Sequence, residues 1–249
     1  MNNRKLIILK ISGASLKGEN NDIINISFIK EIANQIKILN QTYKIAIVLG
    51  GGNIWRGNVG KQLGMPQYQA DQMGMLATVM NSLAFQTVLN EIGVQNKVFS
   101  TIEMEKIVDS YIVRNILNWL NNNGVAILSC GTGRPYFTTD TGVALSAAEL
   151  NAEYIMMGKN NVDGVYNCDP NVYPNAIHYP SLTYQKIING NLGVMDMTAA
   201  SICEKNKIKT IVFKINEKNA IINTLNQQTK FSLISDCEAE LNNNQSYKI

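Results

Sequence analysis

The feature that most constrains this chain is a set of short, unbroken apolar runs that stop at or just before a small-residue loop. Leu6-Ile7-Ile8-Leu9 and Ile45-Ala46-Ile47-Val48-Leu49 are the first two. A strand with one wet face alternates apolar and polar residues. An unbroken run of four or five instead fits a strand covered on both faces, as in the parallel sheet of an α/β protein. Between the two runs, Phe28, Ile29, Ile32, Ala33, Ile36 and Leu39 recur at helical spacing, with Ser27 as the expected N-cap. The alternation then continues. A helix is expected over about 71–90, a strand near Val98, a helix carrying Ile112, Ile116 and Leu120, and a strand at Val125-Ala126-Ile127-Leu128. A helix over 141–150, a strand at Tyr154-Ile155-Met156-Met157, a helix over 196–206 and a strand at Thr210-Ile211-Val212-Phe213 complete the pattern. Repeated strand, helix, strand units predict a mostly parallel sheet with helices on both faces and ligands beyond the carboxyl ends of its strands.

Composition narrows the function classes. The 249 residues, 45% apolar and 16% charged, suffice for one large domain over 1–249, with only a weak division near residue 155. A net charge of +3 without a dense Lys/Arg run gives no reason to expect nucleic acid or a membrane surface as partner. The apolar stretch after Lys5 is too short for a signal peptide, and no segment approaches the roughly 20 apolar residues of a membrane span. A cytoplasmic protein is expected. Cys130, Cys168, Cys203 and Cys237 form no C-x-x-C pair and read as buried thiols rather than a zinc site or a disulfide framework.

Four expected strands run into small-residue loops: Ile11-Ser12-Gly13-Ala14, Gly50-Gly51-Gly52-Asn53, Gly131-Thr132-Gly133 and Gly158-Lys159-Asn160-Asn161. Glycine lets backbone amides approach an anion, although any one such loop is equally a tight turn. Four at one sheet edge point to a phosphate-rich ligand. The familiar signatures are absent. Gly13-Ala14-Ser15-Leu16-Lys17-Gly18 has P-loop glycine spacing, but Glu19 stands in the place of the lysine. Gly131-Thr132-Gly133-Arg134-Pro135-Tyr136 begins like a dinucleotide fingerprint but ends in Tyr136, and Pro135 is unsuited to the helix that should follow.

Several charged residues are candidates for chemistry, each with a plain structural alternative. Lys10, at the end of the first strand, either reaches phosphate oxygens or snorkels from the strand end. Arg56 either forks onto the same anion or is a surface arginine. Asp140 and Asp196 either cap helices or orient Lys10 and the water shell of Mg²⁺. Asp71 either caps the helix running into Met73 or accepts hydrogen bonds from a sugar, and the methionines there read as core. The only histidine, His178, is placed in a surface loop without a role.

Taken together, Lys10-Ile11-Ser12-Gly13, Gly50-Gly51-Gly52-Asn53-Ile54-Trp55-Arg56-Gly57, the segment 71–81, the segment 131–140, Val162-Asp163-Gly164-Val165-Tyr166, Asp169-Pro170 and Val194-Met195-Asp196 resemble the bacterial UMP kinases of the amino acid kinase superfamily. The likeness runs in order from about Lys5 to Phe213, and the segments 71–81 and 131–140 are the ones specific to UMP kinases. The resemblance implies a three-layer α/β/α sandwich, a homohexamer, and transfer of a phosphoryl group from ATP, carried with Mg²⁺, to UMP. It implies that Lys10, Ile11, Ser12 and Gly13 hold ATP phosphates, with Gly52 and Arg56 also on the ATP side. Asn160, Tyr166 and Asp169 would hold the adenine and ribose. Gly51, Asp71, Thr132, Gly133, Arg134, Pro135, Tyr136, Phe137, Thr138 and Thr139 would bind UMP. Lys10, Arg56, Asp140 and Asp196 would form the catalytic group, with no metal bound directly by the protein. By the same resemblance, the part up to about residue 155 serves UMP and the phosphate loops, and the part over about 156–240 serves the ATP nucleoside.

The chain departs from some members of that family at two places. Glu19-Asn20-Asn21-Asp22-Ile23 lacks the glycine-containing segment linked to GTP activation, and Gly158 and Asn160 stand where a lysine and a threonine occur. Two other readings use the same loops: a kinase of acetylglutamate, aspartate or carbamate, and a non-catalytic nucleotide or oxyanion-binding protein. The segment from Thr132 to Asp140 together with Asp71 speaks against the first. The joint presence of Lys10, Arg56, Asp140 and Asp196 speaks against the second.

Overall fold

A computed structural model describes residues 4–18 and 22–236. Cys237, and Glu19, Asn20 and Asn21 of the segment after the first loop, lie outside the described residues. The chain opens with β1 (Leu6–Ile11), the single turn α1 (Gly13–Leu16), α2 (Ile26–Leu39) and β2 (Lys44–Leu49). Then come α3 (Gly57–Gln62), α4 (Gln67–Glu91), β3 (Asn96–Ser100), β4 (Asp109–Ser110), α5 (Val113–Asn121), β5 (Val125–Ser129), α6 (Thr139–Glu149) and β6 (Tyr154–Lys159). The last part holds β7 (Val165–Tyr166), β8 (His178–Tyr179), β9 (Ser181–Thr183), α7 (Tyr184–Asn189), α8 (Met197–Lys205), β10 (Lys209–Lys214), α9 (Ala220–Leu225) and β11 (Phe231–Ser235).

Nine strands form one sheet in the order β4-β3-β5-β2-β1-β6-β10-β11-β9, and only the β10–β11 pairing is antiparallel. The apolar runs are strands covered on both faces, as their lack of alternation requires. Along β1, Ile7, Leu9 and Ile11 join one buried cluster with α2, α4 and α9, while Leu6 and Ile8 join a second with α5, α6, α7 and α8. The result is the expected three-layer α/β/α sandwich. β1 stands at the centre, flanked by β2 and β6, so the crossovers run first to one side of it and later to the other. Crevices for ligands open at such a reversal, above the carboxyl ends of the strands.

Several local expectations are corrected. Asn25, not Ser27, caps α2, its side-chain oxygen accepting from Phe28 N at 2.9 Å. Ile112 precedes α5 and is exposed, so it does not share the buried stripe of Ile116 and Leu120. Gly158 and Lys159 belong to β6 and not to a loop, and a Cβ on Gly158 would lie 2.5 Å from the Ile215 side chain. His178 pairs in β8 with Tyr166. Cys130 and Cys203 are buried, whereas Cys168 is partly exposed. Among the described residues, no helix is long and apolar enough to cross a membrane.

Candidate active site

Lys10 sits one residue before the end of the central strand, its Cα paired with Val48 of β2 on one side and Met157 of β6 on the other. It is 8% exposed. Its Nζ lies 2.9 Å from Asp140 Oδ1. That oxygen is buried and has no partner in hydrogen-bond geometry, so the contact is an ion pair by proximity and Oδ1 keeps acceptor capacity. Asp140 is the second residue of α6 rather than its cap. Thr138 takes the cap, accepting from the amides of Asp140 at 3.1 Å and Thr141 at 3.4 Å.

Asp196 does cap its helix, accepting from Ala199 N at 2.8 Å. Its carboxylate also accepts from Thr141 Oγ1 at 3.0 and 3.1 Å and from the Thr138 hydroxyl. These bonds join α8 to the first turn of α6, the turn that presents Asp140. The influence of Asp196 on Lys10 therefore runs through α6.

The glycine loops divide into two kinds. A Cβ on Gly13 would fall inside the contact radius of Gly52 N, one on Gly50 would lie 2.7 Å from Gly13 N, and one on Gly51 would lie 2.6 Å from Gly74 O. These three glycines let main chains touch. A Cβ on Gly52 would meet nothing within 4 Å, so on its side-chain side this glycine faces open space. Asn81, 1% exposed, fixes the loop by donating to Gly50 O at 2.7 Å and exchanging hydrogen bonds with Asn53 at 2.8 and 3.0 Å. Asn81 closes the segment 71–81, but only the fold reveals its partner. Ser12 caps α1 through Ser15 N at 3.2 Å.

On the β2 and β5 side lies a cleft of about 270 Å³ lined by Gly51, Gly52, Asp71, Thr132, Arg134, Phe137, Thr138 and Thr139. Gly133, Pro135 and Tyr136 share the turn but do not line it. Gly133, at φ 72°, packs on Thr101, and Tyr136, at φ 70°, donates its amide to Asp71 Oδ2 at 2.8 Å. Asp71 is thus in the second turn of α4, tying it to the 131–140 segment, and does not cap the helix. Arg56 is exposed, donates Nε to its own Gly52 carbonyl at 3.0 Å, and lines an adjoining space with Lys61 and Asp71.

On the β6 side a second cleft, of about 500 Å³, is lined by Tyr166, Asp169, Lys159 and the 190–194 loop. Asn160, Ile11, Ser12 and Gly13 do not line it. Tyr166 donates its hydroxyl hydrogen to Asp163 and accepts from Lys230 Nζ at 2.9 Å, while the His178 ring packs edge-on at 5.1 Å. Burial pushes the Asp163 carboxyl up, but the Tyr166 hydrogen bond and the Lys230 charge outweigh it and hold the group below its usual range. Burial and Lys230 together push His178 down, so the histidine backs the cleft wall as a neutral ring.

Lys10 of the central strand and Asp140 of the first turn of α6 therefore stand together with one cleft to either side. The amino acid kinase family model matches residues 5–214. The chain belongs to the amino acid kinase family. Among its relatives in this family, the chain is similar to the uridylate kinase of Malacoplasma penetrans (strain HF-2), 66% identical over 239 residues covering 96% of this chain and 75% of that protein. It is 43% identical to the uridylate kinase of Ureaplasma parvum serovar 3 over 93% of this chain and 99% of that one. Of solved structures, UMP kinase from Ureaplasma parvum matches with a TM-score of 0.90 over 93% of this chain and 99% of that chain, at 43% identity. UMP kinase from Bacillus anthracis matches with a TM-score of 0.88 at 30% identity, over 93% and 96%.

One charged residue of this amino acid kinase site was not singled out by the sequence. Lys159 ends β6 at the rim of the second cleft and donates to Val194 O at 2.7 Å. Burial, reinforced by the nearby Lys10 charge, pulls its amine down to about 8. The signal was available as a lysine closing an apolar run, but placing Gly158 in a loop concealed it.

Proposed function

We propose that this chain is a UMP kinase, transferring the γ-phosphoryl group of ATP to UMP and yielding UDP and ADP for pyrimidine nucleotide biosynthesis in the cytoplasm. The observation that carries this reading is the pair formed by Lys10 of β1 and Asp140 of α6, flanked by a cleft on each side. In-line transfer requires a donor and an acceptor to meet end to end, with charge neutralised where they meet. In this reading the smaller cleft takes UMP, through Asp71 and the 131–140 turn, and the larger takes the adenine and ribose, with Tyr166 and Asp169 on its wall. Gly51 and Gly52 lie at the acceptor cleft, and Lys10 neutralises the group in transit. The UMP phosphate is already an anionic nucleophile, so no general base is needed.

Magnesium fits as a companion of ATP. Among the described residues no group of three or more His, Cys, Asp or Glu gathers to hold an ion. Asp140 Oδ1, which Lys10 meets by proximity and not in hydrogen-bond geometry, is an oxygen acceptor suited to the ion's water shell, with Asp196 behind it. The ion would supply charge neutralisation on the phosphates. Arg56, Asn160 and the Ser12-Gly13 loop remain assigned to ATP by resemblance, and movement of the exposed Arg56 toward bound ATP is part of the proposal. A homohexamer is also proposed, consistent with exposed Met73, Leu76 and Met80 along α4.

The test is coupled ADP release with UMP, CMP, dUMP and acetylglutamate offered separately. UMP turnover supports the reading. Turnover of acetylglutamate without UMP turnover would assign the chain to another branch of the family.

A further inference from the structure

We propose that Lys159 is a second polyphosphate-binding cation, one that holds the α- and β-phosphates of the donor nucleotide and remains on them in the ADP product. The inference rests on the ATP-dependent reading above and adds a residue to it. Its basis is an ammonium with unfilled capacity at a defined place along the ligand's path.

Lys159 has three N–H donors, and the hydrogen bond described for it goes to one neutral acceptor, the Val194 carbonyl at 2.7 Å. The charges that act on it are Lys10 and Asp140, and Asp140 is already 2.9 Å from Lys10. Two ammonium groups thus share one carboxylate in a largely covered crevice. Lys214, beside Lys159 in the sheet register, is turned to Glu217 at 3.6 Å and does not enter this balance. Two ammonium groups whose nearest carboxylate is shared are placed to receive an anion. Burial first, and the Lys10 charge second, lower its amine to about 8.

Position selects which phosphates. Lys159 lines the larger cleft with Tyr166 and Asp169, whereas Lys10 does not line it and lies one strand over, on β1. A donor running from the nucleoside cleft toward β1 meets Lys159 first and Lys10 at its far end. The γ-phosphoryl group leaves at that far end, so the contact at Lys159 survives transfer.

A purely structural alternative is that Lys159 only clamps the 190–194 loop through Val194. The variant K159Q separates the two, because a glutamine amide still offers a donor to that carbonyl but carries no charge. ADP with Mg²⁺ is titrated calorimetrically into wild type, K159Q and K159R, and KM for ATP and for UMP is measured alongside. Losing a charge-assisted contact weakens binding by ~10- to 100-fold. ADP affinity should fall by that factor in K159Q, the KM for ATP should rise with it, the KM for UMP should stay within about twofold, and K159R should restore most of the loss. Unchanged ADP affinity in K159Q, or equal losses for ATP and UMP, overturns the proposal. If K159Q does not fold, the unmodified protein decides: acylation of Lys159, followed by peptide mapping, should be blocked by ADP with Mg²⁺ but not by adenosine at the same concentration, and equal labelling in both overturns it. ADP binding is read without an acceptor, so failure of UMP as substrate is a separate result.

Discussion

The side-chain amide of Asn81 donates to the Gly50 carbonyl at 2.7 Å while its oxygen faces the amide of Asn53 at 3.0 Å, so one buried residue of α4 holds both ends of the glycine loop. Replacing it strands a main-chain carbonyl in a region closed to water. N81A should cost ~1–3 kcal/mol of stability for the orphaned partners. Turnover should fall as well, because the Gly51 and Gly52 amides lose their setting. Thermal melting and UMP-dependent ADP release check both, and a variant with the wild-type melting temperature would show that the loop holds itself.

Glycine substitutions should separate fold from site. G13A forces a Cβ into the Gly52 main chain and should destabilise the protein by ~1–3 kcal/mol or more. G52A meets no atom within 4 Å and should melt within about a degree or two of wild type, a change expected of a site without strain. Its effect should appear in the KM for ATP or UMP instead. Equal melting losses in the two variants would contradict this division.

Removing Lys10 takes from the covered Asp140 carboxylate its partner at 2.9 Å and leaves only the charge of Lys159 acting on it. K10M should therefore lose stability, by ~3–5 kcal/mol if the carboxylate stays ionised, and the double variant K10M/D140N should recover most of it. Turnover should not recover. Loss of a transition-state cation is expected to lower kcat by ~100-fold or more in both. A kcat near wild type in the double variant removes Lys10 from the mechanism.

Much of this site was legible because its parts are consecutive in sequence. Unbroken apolar runs announced β1, β2, β5 and β6, and the turns after the first three carried the small residues. What escaped depends on partners far along the chain. Ser232 is fully buried in β11, a position its polarity argues against, because its hydroxyl is bonded to Val165 N at 2.8 Å and to the Tyr179 carbonyl. The β7–β8 ribbon was hidden for the same reason: its strands are two residues long and gain their stability from Ser232, His178 and Tyr166 meeting in space. Asp71 and Asp140 looked like caps because acidic residues favour helix starts, and only the true positions of α4 and α6 showed their carboxylates committed to Tyr136 and Lys10.

Thiol chemistry should follow burial. Cys203 has its pKa raised from 9.0 to about 11 by burial, and Cys130 is raised for the same reason, so both should resist alkylation at pH 8. Cys168 is partly exposed and lines the larger cleft, so it should react first among these three, and ADP should slow it. Peptide mapping after iodoacetamide treatment reads this directly. The folded Cys203 pKa lies above the unfolded value, so its contribution to stability is complete below pH 9 and is lost as pH rises toward about 11. Replacing Cys203 by alanine should flatten the alkaline end of the stability profile, and an unchanged slope would rule the thiol out.

The contact between Gly13 and Gly52 has a consequence for how this fold changes its chemistry. Two loops that touch main chain to main chain take their spacing from that backbone contact, with Asn81 bracing one of them. In the proposed function, the residues that would tell one acceptor from another hang on separate elements, α4 and the turn before α6. Substrate preference can drift across those elements while the gauge between the two loops stays the same.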